Sequence, residues 1–166
     1  FVDHVARIPR PGDFILRDIA GESIIVIRDH EAQVRAFYNV CRHRGSRLCA
    51  QSAGHVERFV CPYHAWTYTL DGRLSNARLM PPEFDPATHG LNACHLRIVE
   101  GLIFISLCDG DPPEFDEMVA PFLPYLDFHG VGGAKIARRE VFTAKATSPS
   151  PSAATRSAAD TSVESA

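Results

Sequence analysis

Residues 41–68 of the chain read "CRHRGSRLCAQSAGHVERFVCPYHAWTY". This stretch contains two Cys/His couplets, first C-x-H and then, after seventeen intervening residues, C-x-x-H; the four side chains are Cys41, His43, Cys61 and His64. Each couplet is short enough to come from one tight loop, and a Gly and a Pro beside the couplets are typical turn residues. Thiolate and imidazole are common metal ligands. The sequence therefore predicts one metal site built from two neighbouring loops.

The grouping of the ligands bears on the identity of the metal. Two Cys and two His would satisfy a tetrahedral zinc ion, but zinc sites usually pair like ligands within one short motif. Here each loop supplies one thiolate and one imidazole. That arrangement favours a two-iron cluster in which two Cys hold one iron and two His hold the other. A structural zinc module stays open as an alternative.

Composition narrows the class of protein. The chain has 166 residues, which fits one domain, and a formal net charge of -3, which gives no basic surplus for nucleic acid or an anionic membrane. No run approaches the ~20 apolar residues of a membrane span, and charged residues occupy the N-terminal stretch where a signal peptide would be apolar. The odd number of five cysteines is atypical of a disulfide framework and favours a reducing compartment. We expect a cytoplasmic protein with neither nucleic acid nor membrane as a partner.

Apolar spacing predicts a mostly β fold. Alternating or continuous apolar residues, rich in β-branched and aromatic types, predict antiparallel strands within residues 13–29, 32–40, 55–61, 65–70 and 96–107. Asp71-Gly72 is a strong hairpin signal. Only residues 112–128 suggest a helix, which the prolines at 121 and 124 should keep short or broken. We predict a small antiparallel β-sandwich or barrel with two ligand-bearing loops and one short helical segment.

A change in composition near residue 142 predicts the domain boundary. Residues 143–166 are rich in Ala, Ser, Thr and Pro and contain no aromatic residue. Such a segment cannot bury enough apolar surface to offset its ordering entropy. We therefore predict one domain over residues 1–142 and a disordered tail over residues 143–166, with a flexible linker or docking tail as the alternative.

Two segments resemble a known family. "NVCRHRGSRLC" and "CPYHAWTYTLDGRL", residues 39–49 and 61–74, resemble the Rieske domain of ring-hydroxylating oxygenase large subunits, the Rieske non-haem iron oxygenases. The resemblance extends over about residues 1–142 and implies a Rieske-type fold with one [2Fe-2S] cluster per chain. It implies that one iron is bound by two thiolates and the other by two imidazoles, from Cys41, Cys61, His43 and His64. Respiratory-chain Rieske proteins are less similar, because Ser46 and Tyr63 stand where those proteins carry an additional disulfide.

The resemblance also draws attention to neighbours of the ligands. The residues that could shape the surroundings of the cluster are Arg44, Tyr63, Trp66 and Tyr68. Trp66 and Tyr68 could exclude water and donate hydrogen bonds, or could simply be core aromatics. Three arginines in the first loop, at positions 42, 44 and 47, could attract an acidic electron donor such as a reductase or ferredoxin, or could form an ordinary solvated face.

The implied function is single-electron transfer within an oxygenase. Full-length members of the family oligomerise and carry a larger catalytic domain, in which two His and one carboxylate bind a mononuclear iron. Residues 137–146 resemble the lead-in to that domain, after which the sequence departs from the family pattern. We therefore expect a truncation or a frame disruption, no mononuclear iron site and no catalytic residue in this chain, which alone should not hydroxylate a substrate. A free-standing Rieske ferredoxin is the second alternative; the substrate, and a mono- or dioxygenase lineage, stay open.

Overall fold

The computed structural model describes residues 1–138. The predicted domain thus lies almost wholly within the described residues, and the predicted tail at residues 143–166 lies outside them. The described part contains ten β-strands, two short α-helices and four 3-10 turns. All strand pairs between neighbours are antiparallel, which confirms the predicted class.

The central sheet has four strands in the order β4-β3-β2-β5. Their bounds are β2 (Asp13–Ile19), β3 (Glu22–Arg28), β4 (Val34–Tyr38) and β5 (Ala53–His55). Ala20 and Gly21 connect β2 to β3 with φ angles of 50° and 86°. Positive φ at both central residues is typical of the two-residue hairpin turns that match strand twist. This hairpin is the longest paired segment within residues 1–138 and confirms the two strands predicted within residues 13–29.

Two three-stranded sheets flank the central sheet. One has the order β1-β10-β9, with β1 (Asp3–His4), β9 (His95–Val99) and β10 (Leu102–Ser106). The other has the order β6-β7-β8, with β6 (Phe59–Val60), β7 (Thr67–Tyr68) and β8 (Leu74–Asn76). The single strand predicted over residues 55–61 is wrong: His55 pairs with Asp13 in the central sheet, whereas Phe59 pairs with Tyr68 in the third sheet. The chain changes sheets between these two residues.

The predicted helical segment is short and interrupted. It forms α1 (Phe115–Val119) and α2 (Leu123–Phe128), joined by a 3-10 turn at Ala120–Phe122. Pro121 and Pro124 each lie in the first turn of the element that they enter, where the missing N–H costs no hydrogen bond. The other 3-10 turns are Val5–Arg7, Pro86–His89 and Val131–Gly133. Within residues 1–138, no helix is long and apolar enough to cross a bilayer.

The central sheet is buried on both faces. One face packs in a cluster with the first flanking sheet, through Ile8, Ile15, Ile24, Val26, Ala36 and Ile103. The opposite face packs in a second cluster that includes Phe14, Ile25, Ile27, Trp66 and Tyr68, together with Cys41 and Cys61. Because successive residues of a strand point to opposite faces, burial on both sides explains the uninterrupted apolar run at residues 24–27. The two thiols are therefore anchored in the larger core.

Candidate metal centre

The two Cys/His loops have the same backbone geometry. In each loop, the Cys N–H donates to the carbonyl five residues later at 2.8 Å, and the N–H four residues later donates to the Cys carbonyl at 3.0 Å. The residue at that fourth position is Gly45 in the first loop and Ala65 in the second, with φ angles of 70° and 58°. This left-handed conformation reverses the chain within one tight turn. The predicted strand over residues 65–70 is consequently shorter than expected, because Ala65 belongs to the loop.

The loops bring the two thiols together in the core. Cys41 and Cys61 are each 2% exposed and lie within hydrogen-bonding contact of each other. Burial acts to raise the pKa of the Cys61 thiol, but hydrogen bonds from the N–H groups of Tyr63 and His64, with further bonds from Cys41 and the Ser46 hydroxyl, outweigh it. The net result is a pKa below the ordinary value. The site is thus built to stabilise negative charge on the Cys61 sulfur.

Tyr68 joins the first loop to strand β7. Its hydroxyl lies 3.3 Å from the Cys41 sulfur and accepts a 3.0 Å hydrogen bond from the Arg42 N–H, which leaves the hydroxyl hydrogen to donate to sulfur. Burial raises the pKa of Tyr68, so the hydroxyl keeps its proton. Burial also raises the pKa of the Cys41 thiol, although the hydrogen bond from Tyr68 acts to lower it. Tyr68 therefore has a donor role at the sulfur as well as a place in the core.

The two imidazoles lie side by side. The ring centroids of His43 and His64 are 4.6 Å apart with an interplanar angle of 68°. Burial lowers the pKa of His43, and the neighbouring His64 and Arg44 lower it further, which favours the neutral, metal-binding form. Nδ1 of His43 is buried and has no hydrogen-bond partner among the described residues. An unpaired buried ring nitrogen costs free energy unless a ligand occupies it, so this atom fits a metal ion.

Aromatic rings cover both imidazoles. The Trp66 ring stacks on His43 at a centroid distance of 4.7 Å and an angle of 9°, and the Tyr63 ring stacks on His64 at 3.8 Å and 30°. Trp66 is buried, whereas Tyr63 is 61% exposed and His64 is also exposed. The pair of imidazoles therefore has an inner member, His43, and an outer member, His64, whose ring reaches the surface.

Three side chains around the site were not predicted, because no local sequence pattern indicates that they lie near the ligands. Asn39 accepts hydrogen bonds from the end of the first loop, and Phe84 and His89 pack against Trp66 at centroid distances of 5.4 and 5.9 Å.

All five cysteines lie in the described residues and are free thiols. Cys49 packs against the core and its burial raises its pKa to about 11, as expected for a small packed side chain.

The donors are arranged as pairs. Among residues 1–138, no three Cys, His, Asp or Glu side chains are placed to hold a single metal ion. A tetrahedral zinc site would bring all four ligands to one ion. In a Rieske centre each iron takes only two protein ligands, since the rest of its coordination comes from the inorganic sulfides. Two adjacent thiols beside two adjacent imidazoles, one with an unpaired buried nitrogen, fit the second arrangement.

Comparison with known proteins gives consistent matches. The Rieske [2Fe-2S] domain family matches residues 1–95. The chain is 45% identical over 132 residues to the glycine betaine monooxygenase oxygenase subunit of Pseudomonas aeruginosa, covering 79% of this chain and 30% of that protein. It is 38% identical over 124 residues to the carnitine monooxygenase oxygenase subunit of Acinetobacter pittii, covering 70% and 33%. The chain thus spans about a third or less of these curated relatives.

A solved structure has the same fold. The apo form of the quaternary ammonium Rieske monooxygenase CntA superposes with a TM-score of 0.74 at 32% sequence identity, covering 81% of this chain and 40% of that one. Sequence, fold and the paired thiols and imidazoles all agree. The chain belongs to the Rieske [2Fe-2S] domain family, which binds a [2Fe-2S] cluster, and the relatives that it matches are oxygenase subunits.

Proposed function

We propose that Cys41 and Cys61 bind one iron and His43 and His64 the other iron of a [2Fe-2S] cluster. We further propose that the chain serves as the electron-transfer part of a Rieske oxygenase. The observation that carries the ligand assignment is the buried, unpartnered Nδ1 of His43 beside two adjacent thiols. Membership of the Rieske domain family supports the electron-transfer role.

The surrounding residues have distinct roles in this proposal. A bound Rieske cluster supplies reversible one-electron transfer at about -150 to +300 mV. Hydrogen bonds from Tyr68 and Ser46 stabilise negative charge on the Cys41 and Cys61 sulfurs, which favours the reduced state. Trp66 excludes water from one side of the site. The exposed His64 ring provides a short path for electrons between the site and a docked partner.

The charge around the exposed imidazole suggests the nature of the donor. The first-loop arginines, Arg42, Arg44 and Arg47, are all exposed, although the whole chain has a net charge of -3. We propose that they attract an acidic reductase or ferredoxin. Arg44→Glu should slow electron uptake several-fold at low salt and less at high salt, whereas the exposed Arg97→Glu control should not.

Five free cysteines support a cytoplasmic location for this electron transfer.

The described residues are proposed to carry electron transfer rather than oxygen activation. Rieske-type oxygenation uses a mononuclear iron held by two His and one carboxylate. No such group of three lies within residues 1–138.

Because relatives named for glycine betaine and carnitine are 45% and 38% identical, we propose a quaternary ammonium compound as the substrate of the parent oxygenase. Replacing the Rieske domain of glycine betaine monooxygenase by residues 1–138 should preserve its monooxygenase activity if the electron-transfer proposal holds; a chimera that binds its cluster but does not turn over would contradict that proposal.

The ligand assignment is tested by reconstitution under anaerobic conditions. Iron, acid-labile sulfide and zinc are quantified in the wild-type chain, in Cys41→Ser and in His64→Gln, with the exposed Cys108→Ser and His95→Gln as matched controls. We expect two irons and two sulfides per chain in the wild type and in both controls, and loss in the ligand variants. Zinc without sulfide would support a structural zinc module instead. Electron delivery to a separate complete oxygenase would support the free-standing ferredoxin.

A further inference from the structure

The two ligand loops differ in how their ends are joined. The second loop lies at the tip of a hairpin, because β6 and β7 pair on either side of it through Val60 and Thr67. The first loop follows β4, but the next strand, β5, pairs with β2 at the far edge of the sheet. No strand ladder therefore closes the base of the first loop, and some other contact must hold its ends together.

The Asn39 side chain closes that loop. Its Oδ1 accepts hydrogen bonds from the N–H groups of Leu48 at 3.1 Å and Cys49 at 2.9 Å, and its Nδ2 donates to the Cys49 carbonyl at 2.8 Å. These three bonds connect the two ends of the segment at residues 40–48, which contains Cys41 and His43. At the base of this loop, a side chain thus makes the hydrogen bonds that the backbone of a paired strand makes at the base of the second loop.

The same side chain ties the loop to the central sheet. Nδ2 of Asn39 also donates to the Ser23 hydroxyl at 3.2 Å, and the Asn39 N–H donates to the Ser23 carbonyl at 2.8 Å. Asn39 is 0% exposed. A primary amide offers two N–H donors and two acceptor lone pairs, and all four are used here. Because the reverse orientation would set NH2 against two N–H donors, the side chain has one favourable orientation.

We propose that Asn39 is the positioning residue that holds the first loop in its cluster-binding shape before the cluster is inserted. This inference rests on the proposed ligand assignment, because Cys41 and His43 are the residues that Asn39 positions. Loss of the amide would leave two N–H groups and one carbonyl without partners and would free the loop ends. The second loop, closed by its own ladder, would keep its shape. Asn39 thus acts on one cysteine and one histidine, one ligand of each iron.

The test uses Asn39→Ala with two control variants. Ser23→Ala removes the bond from Nδ2 to the Ser23 hydroxyl and keeps both the backbone bond to the sheet and the three bonds that close the loop. Ile103→Val weakens the opposite core cluster, distant from the site. We expect a ferrous chelator to remove iron from Asn39→Ala at least ~10-fold faster than from wild type, and both controls to stay within about twofold. The electron paramagnetic resonance lines of Asn39→Ala should also broaden. Release at the wild-type rate with unchanged lines would overturn the inference.

Amide hydrogen exchange in the metal-free wild-type chain tests the closing role of Asn39 without the variant and without iron. The test therefore holds even where Asn39→Ala fails to fold or the wild type takes up no iron. In the metal-free wild-type chain, the Leu48 and Cys49 amides should exchange at least ~10-fold more slowly than the amide of the exposed residue Gln51, because Asn39 protects them. Equal exchange would overturn the closing role. Slow exchange in a chain that binds no iron would contradict the proposed function and leave the closing role of Asn39 supported.

Discussion

The indole of Trp66 lies face to face with the imidazole of His43, at a centroid distance of 4.7 Å and an interplanar angle of 9°. Trp66 is 2% exposed, and its Nε1 has no hydrogen-bond partner among the described residues. The indole therefore acts on the site through shape and exclusion of water, whereas Tyr68 supplies the hydrogen bond. Two aromatic residues separated by one position in the sequence have different roles.

Trp66→Leu should destabilise both the fold and the site. The substitution leaves a cavity in the larger core and uncovers His43, so we expect a loss of about 2–3 kcal/mol in the free energy of unfolding and faster cluster decay in air. Trp66→Phe keeps a ring on the imidazole and removes the unpaired N–H, and it should cost less on both counts. Denaturant unfolding and the decay of visible absorbance measure these effects; equal losses in the two variants would contradict the stacking role.

Tyr68→Phe should lower the reduction potential. The variant removes the donor to the Cys41 sulfur and the acceptor for the Arg42 N–H, and it leaves the ring in place. A net hydrogen bond of ~1 kcal/mol that favours the reduced state corresponds to about 40 mV for one electron. A redox titration should give a potential lower by about that amount. The exposed Tyr125→Phe is the matched control, and an unchanged or raised potential in Tyr68→Phe would count against the hydrogen bond.

The shared backbone of the two loops predicts opposite effects of two reciprocal substitutions. Ala65 has a φ of 58°, a region that disfavours a Cβ atom, so Ala65→Gly should raise the free energy of unfolding by up to about 1 kcal/mol. Gly45 has a φ of 70° and open space around the position of a Cβ, so Gly45→Ala should lower it by about 1 kcal/mol through backbone strain alone. Denaturant unfolding of the metal-free chain measures both. Changes of the same sign would show that the loops are not equivalent.

Asp13 should stabilise the fold in a pH-dependent way. Burial acts to raise the pKa of this carboxyl, but hydrogen bonds from His55 at 2.9 Å and the Arg10 N–H at 3.0 Å outweigh it, and the pKa lies below the ordinary 3.8. Because the unfolded carboxyl takes up its proton first, the stabilisation is complete above pH 3.8 and is lost as the pH falls toward the folded pKa.

Asp13→Asn should therefore cost about 1–2 kcal/mol near neutral pH, and the difference from wild type should shrink below about pH 4. Unfolding midpoints measured from pH 7 to pH 2 give both quantities. The exposed Asp111→Asn is the control and should follow the wild type throughout. A difference between Asp13→Asn and wild type that grows in acid would contradict the assigned direction of the pKa shift.

Local patterns were sufficient for most of the fold and for the choice of candidate ligands. Hairpin turns at Ala20-Gly21 and Asp71-Gly72 depend on a few adjacent residues, and the paired Cys/His couplets depend on short spacings. The strand predicted over residues 55–61 failed because pairing partners distant in sequence divide it between two sheets. Periodicity within one segment carries no information about which sheet a residue joins.

The closing contact at Asn39 illustrates a second limit. An Asn after a strand is typical of a turn, and nothing in "YNVC" indicates that its amide will meet residues 48 and 49. Likewise, the 3-10 turn Pro86–His89 brings His89 to Trp66 across more than twenty positions of sequence. The assignment of the four ligands, the boundary at residue 142 and the expected truncation stay predictions.

The most direct measurement is pulsed electron paramagnetic resonance of the dithionite-reduced chain, with and without ¹⁵N-labelled histidine. Ligation by His43 and His64 predicts two strong nitrogen couplings that change to ¹⁵N couplings on labelling, in a sample with two irons and two sulfides per chain. A cluster signal without histidine nitrogen couplings, or metal bound without any such signal, would contradict ligation of a [2Fe-2S] cluster by His43 and His64.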